Sequence, residues 1–219
     1  MTTRPGLWFG PAAACLLVTG IVAIGLATPG YSHVRQTVSE LGEVGAPGRV
    51  TFTALLLLVA ACLAIFASGV NRLYREAGRS ALPAYVIGAM AISIAGVGLF
   101  PFPHTLHNVF GLSELVGYQA PLVAALACRN RRGARGGAKE IATFSLAMYC
   151  LVLLALATNL AVLDRSGDLW ALVRPFNGIA QRSLFAAWFS WCAGYGVLLM
   201  RARQRTDSAF RPNSLGGSV

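Results

Sequence analysis

Glu114 is the residue around which any chemistry in this chain has to be built. It stands in the apolar stretch Val109–Cys128, which holds no other charge. An ionisable group inside a membrane span costs at least ~2.5 kcal/mol and is a functional candidate for that reason. Burial favours its neutral form, and a neutral acid in an apolar pocket can deliver a proton. The plainer alternative is a structural hydrogen bond to a neighbouring helix, or an ion pair with Arg182. His107, Gly111, Glu114 and Tyr118 recur at spacings of four, three and four, so a helix puts them on one face. Glu114 then lies about 10 Å beyond His107, the candidate partner for proton transfer. Gln119 is deeper still.

The other candidates gather in three segments. Residues 28–49 read TPGYSHVRQTVSELGEVGAPGR and carry Glu40, a second possible acid or base. Arg35 or Arg182 can pair with Glu40, and a salt bridge fixing this segment is the plainer role. Gln181 and Arg182 stand directly before the last apolar stretch. Arg182, with free helix N–H groups, can hold a phosphate or diphosphate; an interfacial anchor is the bland alternative. His33, Ser39, His104, Asn108 and Tyr118 complete the set able to meet the polar end of a substrate. Three histidines invite a zinc site, but His104 and His107 suit one metal only on a helix or tight turn, with His33 arriving from elsewhere. Hydrogen-bonded histidines in a polar cap are commoner, so no metal and no other cofactor is expected. Gly-rich phosphate loops, GxSxG and HExxH are absent from the sequence. Asp164 and Asp168 read as solvated loop acids.

The elements that must position these residues follow from composition. Apolar types make up 56% of the 219 residues and charged types 12%, about half the share a soluble domain carries. That excludes an ordinary soluble enzyme and a disordered chain. The net charge of +10 does not point to nucleic acid, whose binders are not this apolar. Six stretches are long enough to cross a bilayer: Leu7–Ala27, Val50–Val70, Leu82–Phe102, Val109–Cys128, Ile141–Leu163 and Ser183–Met200. The first is too long, and its flank too weakly basic, for a cleaved signal peptide. Arg4, the loops between spans two and three and between four and five, and the tail after Met200 hold thirteen of the 18 basic residues. The alternate loops hold five. Cytoplasmic retention of Arg and Lys therefore predicts both termini inside, in the cell (inner) membrane.

The expected fold is all-α, a polytopic bundle of six transmembrane helices over residues 1–200. A basic, disordered tail over 201–219 follows. In the first outer loop, Ser32–Leu41 is expected to form one short interfacial helix, with Val34, Val38 and Leu41 on its apolar face. Gly42, Gly45, Pro47 and Gly48 then turn the chain. The second outer loop, PFPHTLHN at 101–108, is short. The five cysteines have no CxxC spacing and read as packing residues. Ala60/Ala64/Ser68 and Ala84/Gly88 have the spacing of close helix contacts.

The runs PGYSHVRQTVSELGEVGAPGR, LFPFPHTLHN and GIAQR, in that order, resemble a bacterial family of multi-pass membrane proteins known as domain of unknown function 998. The resemblance covers roughly residues 8–200. It implies a six-helix bundle with a shared polar site at the outer end, and no established chemistry.

Taken together, these residues suggest an enzyme acting on an amphiphilic lipid or isoprenoid at the outer half of the bundle. Glu114 or Glu40 serves as acid or base, His107 as partner and Arg182 as head-group clamp. Proton-initiated prenyl or terpene cyclisation is one example, with Phe110, Tyr118, Phe185, Trp188 and Trp191 as possible walls. A non-catalytic membrane scaffold or lipid-binding partner is the first alternative. A proton- or ion-coupled transporter is the second, weakened by a single deep charge and no visible inverted repeat. The expected partner is membrane lipid or a hydrophobic small molecule, not nucleic acid. The sequence is silent on oligomeric state.

Overall fold

The computed structural model describes residues 4–129, 136–161 and 168–209. Asp164 and the tail beyond Ala209 lie outside them. The described residues are mostly helical and contain no strand. After a single turn, α1 (Arg4–Leu7), the helices are α2 (Phe9–Ala27), α3 (Arg49–Glu76), α4 (Leu82–Leu99), α5 (Thr105–Gly117), α6 (Ala120–Arg129), α7 (Gly136–Ala161), α8 (Asp168–Val173) and α9 (Asn177–Ala209). Six spans are long and apolar enough to cross a membrane, α5 and α6 together forming the fourth. Each span packs on the next, and α9 closes the ring against α2. The core near the strap of residues 28–48 mixes aliphatic side chains with Phe52, Phe185 and Phe189. Toward the other end it becomes aromatic, with Phe66, Tyr74, Trp188, Trp191 and Tyr195 fully buried.

The helices outrun the hydrophobic stretches. α3 continues through NRLYRE because nothing there stops a helix. It ends where Gly78, at φ +61°, turns the chain. Gly78 N–H then bonds to Arg75 O at 3.0 Å and Arg79 N–H to Tyr74 O at 2.8 Å, a Schellman closure. Residues 201–209, expected as the start of a loose tail, instead extend α9. Arg203 meets Glu76 at 2.8 Å and Arg205 meets Glu140 at 3.5 Å. These exposed pairs are worth at most ~1 kcal/mol each, but they show that the end of α3, the start of α7 and the end of α9 converge.

Two local expectations change. The fourth span is broken at Tyr118–Gln119 rather than continuous. Pro121 has no N–H for the carbonyl of Gly117, four residues back. The indole N–H of Trp188 on α9 takes its place, at 2.9 Å. The small residues of α3 and α4 do not clasp one another along the whole stripe. Ala60, Ala64, Ser68, Ala84 and Gly88 line an open groove, and a Cβ on Gly88 would meet nothing within 4 Å.

Candidate functional site beneath the strap

Residues 28–48 do not form the interfacial helix expected over Ser32–Leu41. They fold as turns and one 3-10 turn, Ser39–Gly42. Val38 and Leu41 are buried in the bundle mouth, whereas Val34 is exposed. Side chains capture the backbone before a helix can. Gln36 Oε1 accepts Ser32 N–H at 2.8 Å, and the Tyr31 hydroxyl donates to Thr37 O at 2.7 Å. Gly30 (φ +75°) and Gly45 (φ +93°) stand near the two ends of this strap, in a backbone region open to glycine.

Glu40 belongs to the strap's own scaffold. Its Oε1 accepts from Thr37 N–H at 2.8 Å and Thr37 Oγ1 at 2.9 Å, and its Oε2 from Gln36 Nε2 at 2.9 Å. Thr37-x-x-Glu40 is the capping-box spacing, the glutamate reaching back over its own turn. The expected ion pair with Arg35 or Arg182 is replaced by these three donors. Arg35 is exposed, with its N–H 3.4 Å from Ser32 Oγ.

Arg182 is turned to protein carbonyls. Its Nη1 donates to His33 O and Gln36 O at 2.8 Å and to Gly178 O at 2.9 Å, and its Nη2 donates to the Tyr31 hydroxyl. Beside it, Gln181 Oε1 accepts Val38 N–H at 2.6 Å, and Ile179 N–H reaches Val34 O at 3.2 Å. The strap therefore hangs from GIAQR at the start of α9. Gly178 is required by contact, since a Cβ there would stand 2.4 Å from Gln36 O and 2.6 Å from His33 O.

The histidines take three different places. His33 packs edge-on to Tyr31, centroids 5.2 Å apart, and against Gly25; its Nε2 is buried without a partner. His104 caps α5, its Nδ1 accepting Leu106 N–H at 3.1 Å. His107 is buried, with Nδ1 2.8 Å from Phe100 O, so its ring closes the end of α4 instead of bonding Glu114. Among the described residues no group of three or more His, Cys, Asp or Glu is placed to hold a metal. Asn108 is exposed, as is Asp168 at the start of α8.

Burial, and then the Arg182 charge, hold the His33 pKa below its ordinary 6.5. Burial raises that of Tyr31, and the Arg182 hydrogen bond opposes the rise. Neutral His33 therefore favours the docked strap. That stability is complete above pH 6.5 and is lost as pH falls from there toward the lower folded value. Protection of the residue 31–41 amides against hydrogen exchange, relative to the intrinsic rate at each pH, should fall between pH 7 and 5.5, and His33→Gln should flatten the response. A response that survives His33→Gln would assign it to another group.

Glu114 faces a cavity of about 30 Å³ directly under the strap, lined by Val38, Ser39, Leu17, Phe52, Ile94, Phe185 and Phe189 among others. Glu114 is 8% exposed, and its Oε2 accepts the Tyr118 hydroxyl at 2.8 Å. His107, Glu114 and Gly117 are the buried positions of α5, as the helical spacing requires. Among the described residues no cation sits on the carboxyl: Arg182, the alternative partner, spends its donors on the strap. Of the aromatic residues proposed as walls, Phe185 lines the cavity. Phe110 lies on Gly96 and Phe100, and Trp191 donates to Ser145 Oγ at 3.0 Å within the core. Gln119 accepts from Tyr149 at 2.7 Å. Sequence reasoning missed Tyr31, Gln36 and Thr37 as strap fasteners; the Thr37-x-x-Glu40 spacing was the available signal.

Six apolar spans closed into a ring, with a lone carboxyl beneath a folded strap, define a polytopic helical membrane protein. No curated protein and no solved structure shows a significant match. The family described as "Protein of unknown function (DUF998)" matches residues 11–198, and the chain belongs to it.

Proposed function

We propose that this protein is a membrane-embedded enzyme performing acid/base chemistry on the polar end of an amphiphilic or isoprenoid lipid. The observation that carries the reading is Glu114, a carboxyl buried beside apolar walls with a hydroxyl, not a cation, for company. A carboxylate kept only for structure is ordinarily paired when buried, and this one is not. Glu114 supplies the proton and Tyr118 orients its carboxyl. Ser39 is the polar group facing it from the strap. At about 30 Å³ the cavity has room for a water molecule, not for a lipid. The substrate therefore reaches Glu114 by lifting the strap about Gly30 and Gly45. Arg182 and Gln181 set how tightly the strap is held, and Glu40 keeps its shape. By the charge of the loops, the strap faces outward and both termini lie in the cytoplasm.

The test uses purified protein incubated with membrane lipids and prenyl compounds, followed by mass and retention changes. Glu114→Gln should retain the fold and lose turnover by roughly 10²- to 10⁴-fold, the usual range for a missing acid. Full turnover in this variant refutes the acid role. A second reading, a non-catalytic lipid-binding scaffold, draws support from the strap's polar groups being satisfied largely by one another and by the start of α9. It predicts no conversion of any lipid and an unaltered host phenotype in Glu114→Gln.

A further inference from the structure

A cavity of about 400 Å³ opens between α6 and the start of α7, at the end of the bundle away from the strap. Leu122, Leu126 and Leu146 supply apolar wall, and Arg129 and Lys139 line the same space. Its volume lies in the range of pockets that enclose a small-molecule ligand (about 300–1,000 Å³). Leu126, Thr143 and Leu146 are exposed, so the cavity opens on the lipid side of the ring. The charge is uncompensated. Glu140, the acid next to Lys139, is directed to Arg205 at 3.5 Å, and neither Arg129 nor Lys139 has a carboxylate partner among the described residues.

An apolar slot open to acyl chains with two unpaired cations beside it is complementary to one class of molecule abundant in a bilayer. We infer that it is a binding site for an anionic phospholipid of the leaflet on the Arg-rich side. One acyl chain lies in the slot, and Arg129 and Lys139 hold the phosphate. A neutral lipid leaves the two charges unanswered, and a free anion leaves the apolar wall bare. The site is separate from the Glu114 cavity and does not rest on the chemistry proposed there.

The full chain in mild detergent should retain one phosphatidylglycerol in native mass spectrometry, in preference to phosphatidylcholine with the same chains. Arg129→Gln with Lys139→Gln should weaken that retention roughly tenfold or more, since a cation near an anionic head group contributes ~1 kcal/mol. Thr143→Trp, at an exposed position lining the slot, should weaken it comparably by occupying the chain's place. Arg72→Gln, an exposed arginine in the last turns of α3, should leave it unchanged.

No preference for phosphatidylglycerol overturns the inference. So does equal loss in Arg72→Gln, which means general surface attraction. Loss in the charge variant alone means a head group on the surface with the slot unused. Loss in Thr143→Trp alone means a neutral occupant. Either result also refutes the site. Should the double variant fail to fold, Arg129→Gln alone, expected to lose about half of the effect on a logarithmic scale, carries the test.

Discussion

Arg182→Met is expected to unhook the strap and destabilise the protein by about 3 kcal/mol. Four hydrogen bonds from one guanidinium end together: three to carbonyls and one to the Tyr31 hydroxyl. Bonds to a charged group are worth roughly 1.5–3 kcal/mol apiece, so a simple sum reaches ~6–12 kcal/mol. That sum is too large here. His33, Gln36 and Tyr31 are only half-buried, and water can reach their acceptors once the strap loosens. The buried Nε of Arg182 has no partner and leaves with the side chain, which offsets part of the loss. Arg182→Lys should recover part of the loss, because three of the four acceptors meet at Nη1, where an ammonium can serve them, while the Tyr31 hydroxyl on Nη2 loses its donor. Reversible unfolding in mild detergent measures the loss, and faster exchange over residues 31–41 locates it. If the fold and strap exchange were unchanged while only binding of phosphate-bearing lipids fell, Arg182 would be the head-group clamp of the original expectation.

The spans were legible because the bilayer imposes one rule on all of them, about 20 apolar residues. Their ends were less so, because hydropathy marks where lipid ends and not where a helix does. α3 stops only at the Gly78 turn, and α9 runs on through polar RARQRTDSA. The positions of interest were also visible. The strap, LFPFPHTLHN and GIAQR stood out before any contact was known, and the strap proves to hang from GIAQR. Partner choice was not visible, because a charged side chain has many possible partners and spacing selects only local ones. Glu40 could be paired with Arg35 or Arg182 on charge alone, yet Thr37 and Gln36 are nearer along the chain and hold it first. His107 and Glu114 share a face as the spacing required. Sharing a face does not bring them into contact, and the carbonyl of Phe100 takes the imidazole. The expected helix over Ser32–Leu41 failed for the same reason, since Gln36, Glu40 and Tyr31 offer the backbone better local bonds.

The break in the fourth span supports the largest single-site effect. Trp188→Ala should cost about 3–5 kcal/mol, as removal of a fully buried large aromatic side chain does. Trp188→Phe isolates the polar part. It keeps most of the packing against Phe189 and Trp191 but strips the donor from Gly117 O. An orphan carbonyl in hydrocarbon is costly in principle, several kcal/mol. Measured hydrogen bonds between membrane helices average only ~0.6 kcal/mol, because the chain finds other partners. Gly117 O has few to find, since Pro121 has removed the natural one, so a cost of about 1–2 kcal/mol is expected. Pro121→Ala tests the cause. Its new N–H can close on Gly117 O, so Trp188→Phe should cost clearly less in that background than in the native one. Equal costs in both backgrounds would mean that the carbonyl is not what Trp188 serves. The bend also bears on the carboxyl one turn earlier, because Tyr118 donates its backbone N–H to Glu114 O and its hydroxyl to Glu114 Oε2. A straightened fourth span would redirect the chain directly after Tyr118, and with it the packing that holds the Tyr118 hydroxyl on Glu114. Pro121→Ala should therefore impair any turnover that depends on Glu114 even where it leaves the protein as stable as before, a separation that a purely structural role for the bend does not produce.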